Sequence, residues 1–155
     1  MATLQINGAT YRVARKMDVF KQMAVASKIS PLLAAGLGEL APLLADMKRE
    51  GIANLASMPL DKLGQIITPV SRELAKMSDE DRRMIIGSCL DLVDRKEDGK
   101  EGWARVWSAD ANRAMYEELN SDLTVMLRVV ALALQEVFAT FLPGSLSALR
   151  GGAKA

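Results

Sequence analysis

Two acidic clusters are the first candidates for chemistry in this chain of 155 residues, because neighbouring carboxylates can bind a metal ion. They lie at Asp79-Glu80-Asp81 and at Glu117-Glu118. Both clusters also fit helix N-termini, where the helix macrodipole stabilises acidic side chains. We therefore interpret them as helix-capping and solvent-exposed residues, and we expect neither a metal site nor a cofactor.

Residues that usually serve acid–base or nucleophilic catalysis are scarce. The chain has no histidine, which removes the commonest general base. Its single cysteine, Cys89, lies on the apolar face of a predicted helix, where a small buried side chain is expected rather than a nucleophile. The glycines at positions 36, 38, 151 and 152 lack the strand-to-helix context of a phosphate-binding loop. We predict that the protein is not an enzyme.

The balance of charge limits the kind of partner. The chain has 20 Lys and Arg against 19 Asp and Glu, whereas a nucleic-acid-binding protein usually has a basic excess. We interpret the basic residues near the N-terminus as solvated surface; they are Arg12, Arg15, Lys16 and Lys21. A single cysteine fits a reducing compartment, and the first residues, MATLQING, lack the pattern of a secretory signal. We expect a cytosolic protein that binds neither nucleic acid nor membrane.

The periodicity of the chain predicts a mainly α fold. We expect a single helical domain over residues 1–145 and a flexible C-terminal tail over 146–155. An N-terminal β-hairpin is indicated by Asn7-Gly8, which accepts the positive φ values of a type I′ turn. Alternation of large apolar and polar residues over Trp103–Trp107 predicts a second short hairpin, with a return strand over Arg113–Tyr116. We hypothesise that the two hairpins form one small sheet.

Helical segments fill the rest of the chain. They are Lys16–Lys28, a helix beginning at Ser30-Pro31, irregular helical pieces over Glu39–Pro59, Leu60–Met77, and a helix capped by Ser78. This last helix is followed by Asp94–Gly102. We predict that this segment is a solvated loop because it contains only charged residues and glycine.

The longest apolar stretch, Leu123–Leu142, predicts a C-terminal helix capped by Asn120 or Ser121. Its apolar surface is wider than the stripe of roughly 100° that a helix needs to pack on its own domain. Three interpretations stay open: an enclosed core helix, a core helix that also offers a face to a partner, and a membrane span. Charges such as Arg128 and Glu136 inside the stretch make the membrane span costly.

Three segments carry a pattern that is shared with a known family. They read INGATYRVARKMDVFKQMAVASKISPLL, MSDEDRRMIIGSCLDLVDRK and WARVWSADANRAMYEELNSDLTVMLRVVALALQEVFATFL. The first is an Asn-Gly hairpin leading into a helix, the second an acidic cap before a helix, and the third a Trp-rich hairpin before the long apolar helix. In this order the segments resemble the tail assembly chaperones of long-tailed bacteriophages. The chain departs from that pattern at Ala26-Ser27-Lys28, where a more basic end of the first helix is expected.

The resemblance implies a binding function. Such chaperones coat the apolar, helical tape measure protein, keep it soluble and help tail tube subunits polymerise around it. The implied partners are therefore the tape measure protein and, in longer frameshifted forms, the tail tube protein. From the residues we also expect self-association, because a net charge of +1 gives little electrostatic protection against it. The implied location is the host cytoplasm, with the protein absent from the mature virion. The alternative is a structural tail completion or connector protein that stays in the virion.

We predict that the partner-binding residues lie on the long C-terminal helix. They are Met126, Leu127, Val130, Leu134, Phe138 and Phe141. Burial of one large apolar side chain contributes roughly 1.5–3 kcal/mol, so a few such contacts can support binding. Some of these residues are expected in the protein's own core. Whether the Trp103–Trp107 segment supports that core or contacts a partner stays open.

Overall fold

The computed structural model describes residues 3–31 and 60–138. Within these ranges the helices are α1 (19–31), α2 (Leu60–Ala75), α3 (Asp79–Leu90), α4 (Glu117–Ser121) and α5 (Leu123–Val137). The strands are β1 (Thr3–Ile6), β2 (Ala9–Val13), β3 (Val93–Glu97), β4 (Ala104–Arg105), β5 (Trp107–Ser108) and β6 (Arg113–Ala114). The predictions for Glu39–Pro59, for Phe141 and for the tail over 146–155 lie outside the described residues.

The N-terminal hairpin is confirmed. Strand β1 pairs with β2 in an antiparallel register that ends with Ile6 opposite Ala9. Asn7 and Gly8 form the turn with φ values of 49° and 79°, as a type I′ turn requires. Leu4 and Ile6 are buried, so one face of the hairpin lies on the core while the other carries polar side chains.

The prediction of a mainly α fold is wrong, because the hairpin belongs to a four-stranded antiparallel sheet. The strand order is β1-β2-β3-β4, with Tyr11 opposite Arg95 and Asp94 opposite Arg105. Helices α3 and α5 pack against each other, and α5 contacts β1 and β2. The described residues therefore form an α+β arrangement of a sheet and helices around one shared core.

Strand β3 begins at Val93 and overlaps the segment Asp94–Gly102, which is predicted as a solvated loop; that prediction is wrong for residues 94–97. The sequence VDRKE has little β-propensity, but its charges have partners in the folded chain. Asp94 forms two ion pairs: its Oδ1 lies 2.8 Å from Nη2 of Arg15, and its Oδ2 lies 3.7 Å from Nη2 of Arg12. Nε of Arg95 lies 2.7 Å from Oε1 of Glu118. These distant partners stabilise a charged strand whose local sequence does not predict one.

The Trp103–Trp107 segment also divides differently from the prediction. Ala104–Arg105 extends the main sheet, whereas Trp107–Ser108 pairs with β6 in a separate two-stranded sheet. Val106 lies between the two strands, is fully buried, and accepts a hydrogen bond from the backbone N–H of Met115 at 2.8 Å. The second hairpin is thus present, but the hypothesis that both hairpins form one sheet is wrong.

Local capping signals define two helix starts. The Ser78 hydroxyl accepts a hydrogen bond from the N–H of Asp81 at 3.1 Å, so the predicted cap of α3 is confirmed. Ser30, predicted to begin a new helix, instead lies inside α1, where its hydroxyl donates to the carbonyl of Ala26 at 2.8 Å. A hydroxyl that bonds to the preceding turn is compatible with a helix interior.

Helix α5 begins at Leu123, with Asp122 as its cap. The Asp122 carboxylate accepts hydrogen bonds from the N–H groups of Thr124 and Val125 at 3.0 and 3.3 Å, so Asn120 and Ser121 are not the cap. All described residues of α5 except Leu123 and Glu136 are buried or half-buried, as expected for an enclosed core helix. Among the described residues, no helix combines the length and hydropathy that crossing a membrane requires.

Candidate functional site

Helix α1 has two apolar faces. Asp18 caps it by accepting a hydrogen bond from the N–H of Lys21 at 2.9 Å. Val25 and Ile29 are buried in the core, one helical turn apart. Gln22, one turn before Val25, fixes the helix start by donating from Nε2 to the carbonyl of Met17 at 2.7 Å. One face of α1 is thus attached to the domain.

The opposite face of α1 is apolar and exposed. Val19 is 64%, Phe20 84% and Met23 64% exposed, so none of the three belongs to the core that the described residues form. Residues three and four apart are neighbours on a helix surface, so the three side chains form one patch. We call Val19, Phe20 and Met23 the α1 patch.

Basic side chains lie next to the α1 patch. Lys16 and Lys21 are exposed, one before the helix and one within its first turn. Lys28, further along α1, forms a 3.3 Å ion pair with Asp81 of α3. Lys16 and Lys21 thus flank the start of the patch in sequence, together with the exposed Asp18.

The predicted partner-binding residues of α5 are placed mostly against the core. Val130 is 6% exposed and belongs to the core, while Met126, Leu134 and Phe138 are half-buried and pack against it. Leu127 is half-buried. Phe141 lies outside the described residues. Each side chain of the α1 patch is therefore more exposed than any of the predicted α5 residues that the structure describes.

The α1 patch is absent from the predicted binding residues, although the helical phase contains the signal. At about 100° per residue, Phe20 lies about 140° from Val25 and about 180° from Ile29. Since Val25 and Ile29 share the buried face, Phe20 has to point away from it. Helical phase alone therefore separates Phe20 from the core-facing residues of α1.

The two tryptophans have different surroundings. Trp107 supports the core: a Cβ built on Gly87 of α3 would lie only 2.8 Å from Cζ2 of its ring. Trp103 is half-buried, and the guanidinium of Arg12 lies 3.9 Å from the centre of its ring. That distance is typical of a cation–π contact, which attaches the residue before β4 to β2.

The most developed polar cluster joins β2, β3 and α4. The Tyr11 hydroxyl donates to Oε1 of Glu118 at 3.0 Å, and Nε of Arg95 donates to the same oxygen at 2.7 Å. The Arg95 guanidinium also stacks on Tyr116, 4.3 Å from the ring centre. Burial raises the pKa of Tyr11 to about 12, so the phenol stays protonated. The cluster ties α4 to the sheet.

The described residues hold no arrangement suited to metal or thiol chemistry. Across 3–31 and 60–138, no three acidic or cysteine side chains converge as metal ligands. Asp79, in one of the acidic clusters, pairs with Arg82, and this hydrogen bond lowers the pKa of its carboxyl group. Burial raises the pKa of the Cys89 thiol to about 12, which disfavours the reactive thiolate.

A small α+β domain with an exposed apolar helix face fits a protein whose work is to bind another protein. A comparison with protein families gives that class a narrower identity. The family described as "Phage tail assembly chaperone protein, TAC" matches residues 7–149, and the chain belongs to this family. No curated protein and no solved structure matches it. Membership of this family supports a role in phage tail assembly, and the family's role is a non-enzymatic one.

Proposed function

We propose that this chaperone binds apolar helical segments of the tape measure protein and keeps that protein soluble while the tail tube assembles around it. The family membership supports a role in tail assembly. The tape measure protein as client comes from the resemblance described above. The observation that carries the proposal is the α1 patch, in which three large apolar side chains are more than half exposed.

The chemistry of the α1 patch fits an amphipathic helix as its ligand. Val19, Phe20 and Met23 lie on one helix face, so an apolar stripe on a client helix can pack along them. Methionine suits varied sequences because its unbranched side chain adapts to different neighbours. Lys16 and Lys21 would favour client helices whose apolar stripe is bordered by acidic residues.

The first test is co-expression with the tape measure protein of the same phage, followed by pull-down and measurement of soluble tape measure protein. We expect Phe20→Asp with Met23→Asp to lower the apparent affinity at least about tenfold, because each large apolar contact contributes more than about 1.4 kcal/mol. Both side chains are exposed, so the changes leave the core intact.

Met115→Asp is the matched control. Met115 is 58% exposed and lies after β6, away from α1 in sequence, and the variant undergoes the same chemical change as Met23→Asp. We expect Met115→Asp to retain the tape measure protein in the soluble fraction. If Met115→Asp and the Phe20→Asp/Met23→Asp double variant lose soluble tape measure protein equally, with unchanged circular dichroism, the α1 patch has no specific role.

The residues predicted on α5 form a second part of the proposal. Leu127 is half-buried, so Leu127→Asp tests a contribution from α5 with less damage to packing than a change at Val130.

A chaperone is also expected to act in the host cytoplasm and to leave before the particle is complete. Mass spectrometry of purified virions checks this, because a structural tail completion or connector protein would remain in stoichiometric amount.

A further inference from the structure

The free side of β1 offers backbone groups for strand pairing. Within the described residues β1 is at the end of the sheet, with β2 as its neighbour. The pair next to the two-residue turn, Ile6 with Ala9, is hydrogen-bonded, and non-hydrogen-bonded and hydrogen-bonded pairs alternate along the strand from there. Leu4 therefore bonds to β2, whereas the N–H and C=O groups of Thr3 and Gln5 point away from the sheet.

The two edges of the sheet differ in how they are protected. At the β4 edge the strand is only two residues long, carries Arg105, and leaves the sheet at the buried Val106. Short length and charge are common ways to prevent pairing at an edge. Strand β1 is four residues long, TLQI, and has no charge, proline or bulge. It lacks these protections.

We propose that β1 pairs with β1 of a second copy of this chain, in an antiparallel register centred on Leu4. In this register Thr3 of one protomer lies opposite Gln5 of its partner, and the reverse pair forms by symmetry. Both residues direct their free N–H and C=O groups outward, so two hydrogen-bonded pairs form. The result is a two-fold dimer with one continuous sheet of eight strands.

A second copy fits this edge because the pairing is self-complementary. A two-fold axis places position 3 of each copy opposite position 5 of the other, so both copies contribute the same surface, as an isologous interface requires. In the paired sheet Leu4 and Ile6 of both copies lie on the core side, while Thr3 and Gln5 lie on the polar side. No like charges come together, since β1 is uncharged. The pairing does not depend on client binding.

Proline at position 5 tests the backbone pairing directly. Gln5→Pro removes an outward N–H without removing a hydrogen bond between β1 and β2. We expect light scattering of the purified full chain to show a dimer that this variant weakens about tenfold or more. Gln5→Val keeps the N–H and is expected to dimerise normally. The proposal is overturned if the wild-type chain stays monomeric up to about millimolar concentration, a range in which even weak interfaces form.

Cross-linking tests the register without relying on a proline variant. Thr3→Cys and Gln5→Cys chains are mixed and treated with a short reagent that bridges two thiols; the native Cys89 is buried. We expect a covalent dimer in the mixture and much less in either variant alone, because position 3 faces position 5 of the partner. Equal cross-linking in all three samples, or none in the mixture, overturns the proposed pairing.

Discussion

At the scale of single residues, Glu118 shows how one carboxylate connects separate parts of the chain. It lies in α4 and accepts hydrogen bonds from Tyr11 of β2 and from Arg95 of β3. Burial alone would raise the pKa of Glu118. Hydrogen bonds from its own backbone N–H, from Tyr11 and from Arg95 outweigh burial, so the pKa of Glu118 lies below its ordinary value. The folded state therefore favours the ionised carboxylate.

This shift predicts a pH dependence of stability. A carboxyl group whose pKa is lowered by folding stabilises the protein above its unfolded pKa of about 4.3, and the contribution is lost as the pH falls through the folded pKa. We expect Glu118→Gln to lower the free energy of unfolding by about 1–2 kcal/mol at neutral pH. The difference from wild type should shrink below about pH 4.

Urea denaturation at neutral and acidic pH measures this effect. Glu117→Gln is the control, because Glu117 is exposed in the same turn of α4. We expect that control to change the free energy of unfolding by less than about 0.5 kcal/mol. A Glu118→Gln difference that stays constant from neutral to acidic pH would show that ionisation of Glu118 does not contribute.

At the scale of elements, the contact between α3 and β5 depends on a missing side chain. Gly87 lies in the middle of α3, where glycine has poor helix propensity. The indole of Trp107 occupies the space a Cβ would need, 2.8 Å from Cζ2 and 3.1 Å from Cε2. The indole is rigid and packs against the core, so moving it costs more than moving the end of a flexible side chain would. Gly87 is therefore explained by close packing between α3 and the second hairpin.

Alanine at Gly87 and at Gly64 should act in opposite directions. Gly87→Ala forces Trp107 to move, and we expect a loss of about 1–3 kcal/mol of stability despite the better helix propensity. Gly64 lies exposed in α2, and no described neighbour lies within 4 Å of the position that an alanine methyl group would take. Gly64→Ala should therefore gain up to about 1 kcal/mol. Thermal unfolding checks both. Stabilisation by Gly87→Ala would contradict the packing argument.

Sequence predicts those elements whose signals are local. The Asn7-Gly8 turn and the Ser78 cap depend on neighbouring residues, and both are present. Strand β3 is not predicted from its local sequence, because it is stabilised by pairing with β2 and by the ion pair between Arg95 and Glu118, which are both contacts between segments distant in sequence. The exposure of Phe20 follows from helical phase, whereas the coverage of α5 depends on tertiary contacts with α3 and the sheet.

At the scale of the whole molecule, Arg15 connects the N-terminal third of the chain to its centre. It follows β2 and precedes α1, and its Nε donates to the carbonyl of Asp91 at 2.8 Å. Its Nη2 donates to the carbonyl of Val93 at 3.2 Å and to Asp94 Oδ1 at 2.8 Å. One planar guanidinium thus fixes the junction of α3 and β3 against the segment that leads into α1 and its exposed patch.

Arg15→Lys tests whether this junction makes the chain unfold as one domain, as predicted for residues 1–145. Lysine keeps the charge but cannot reproduce the forked hydrogen bonds, so we expect a loss of about 1–3 kcal/mol. The reverse change at the exposed neighbour, Lys16→Arg, should have little effect.

If the chain is one cooperative unit, tryptophan fluorescence and circular dichroism will give coincident urea transitions in all three proteins. Separate transitions in the wild-type chain would contradict the single-domain prediction. If they separate only in Arg15→Lys, the guanidinium is what couples the sheet to the helices.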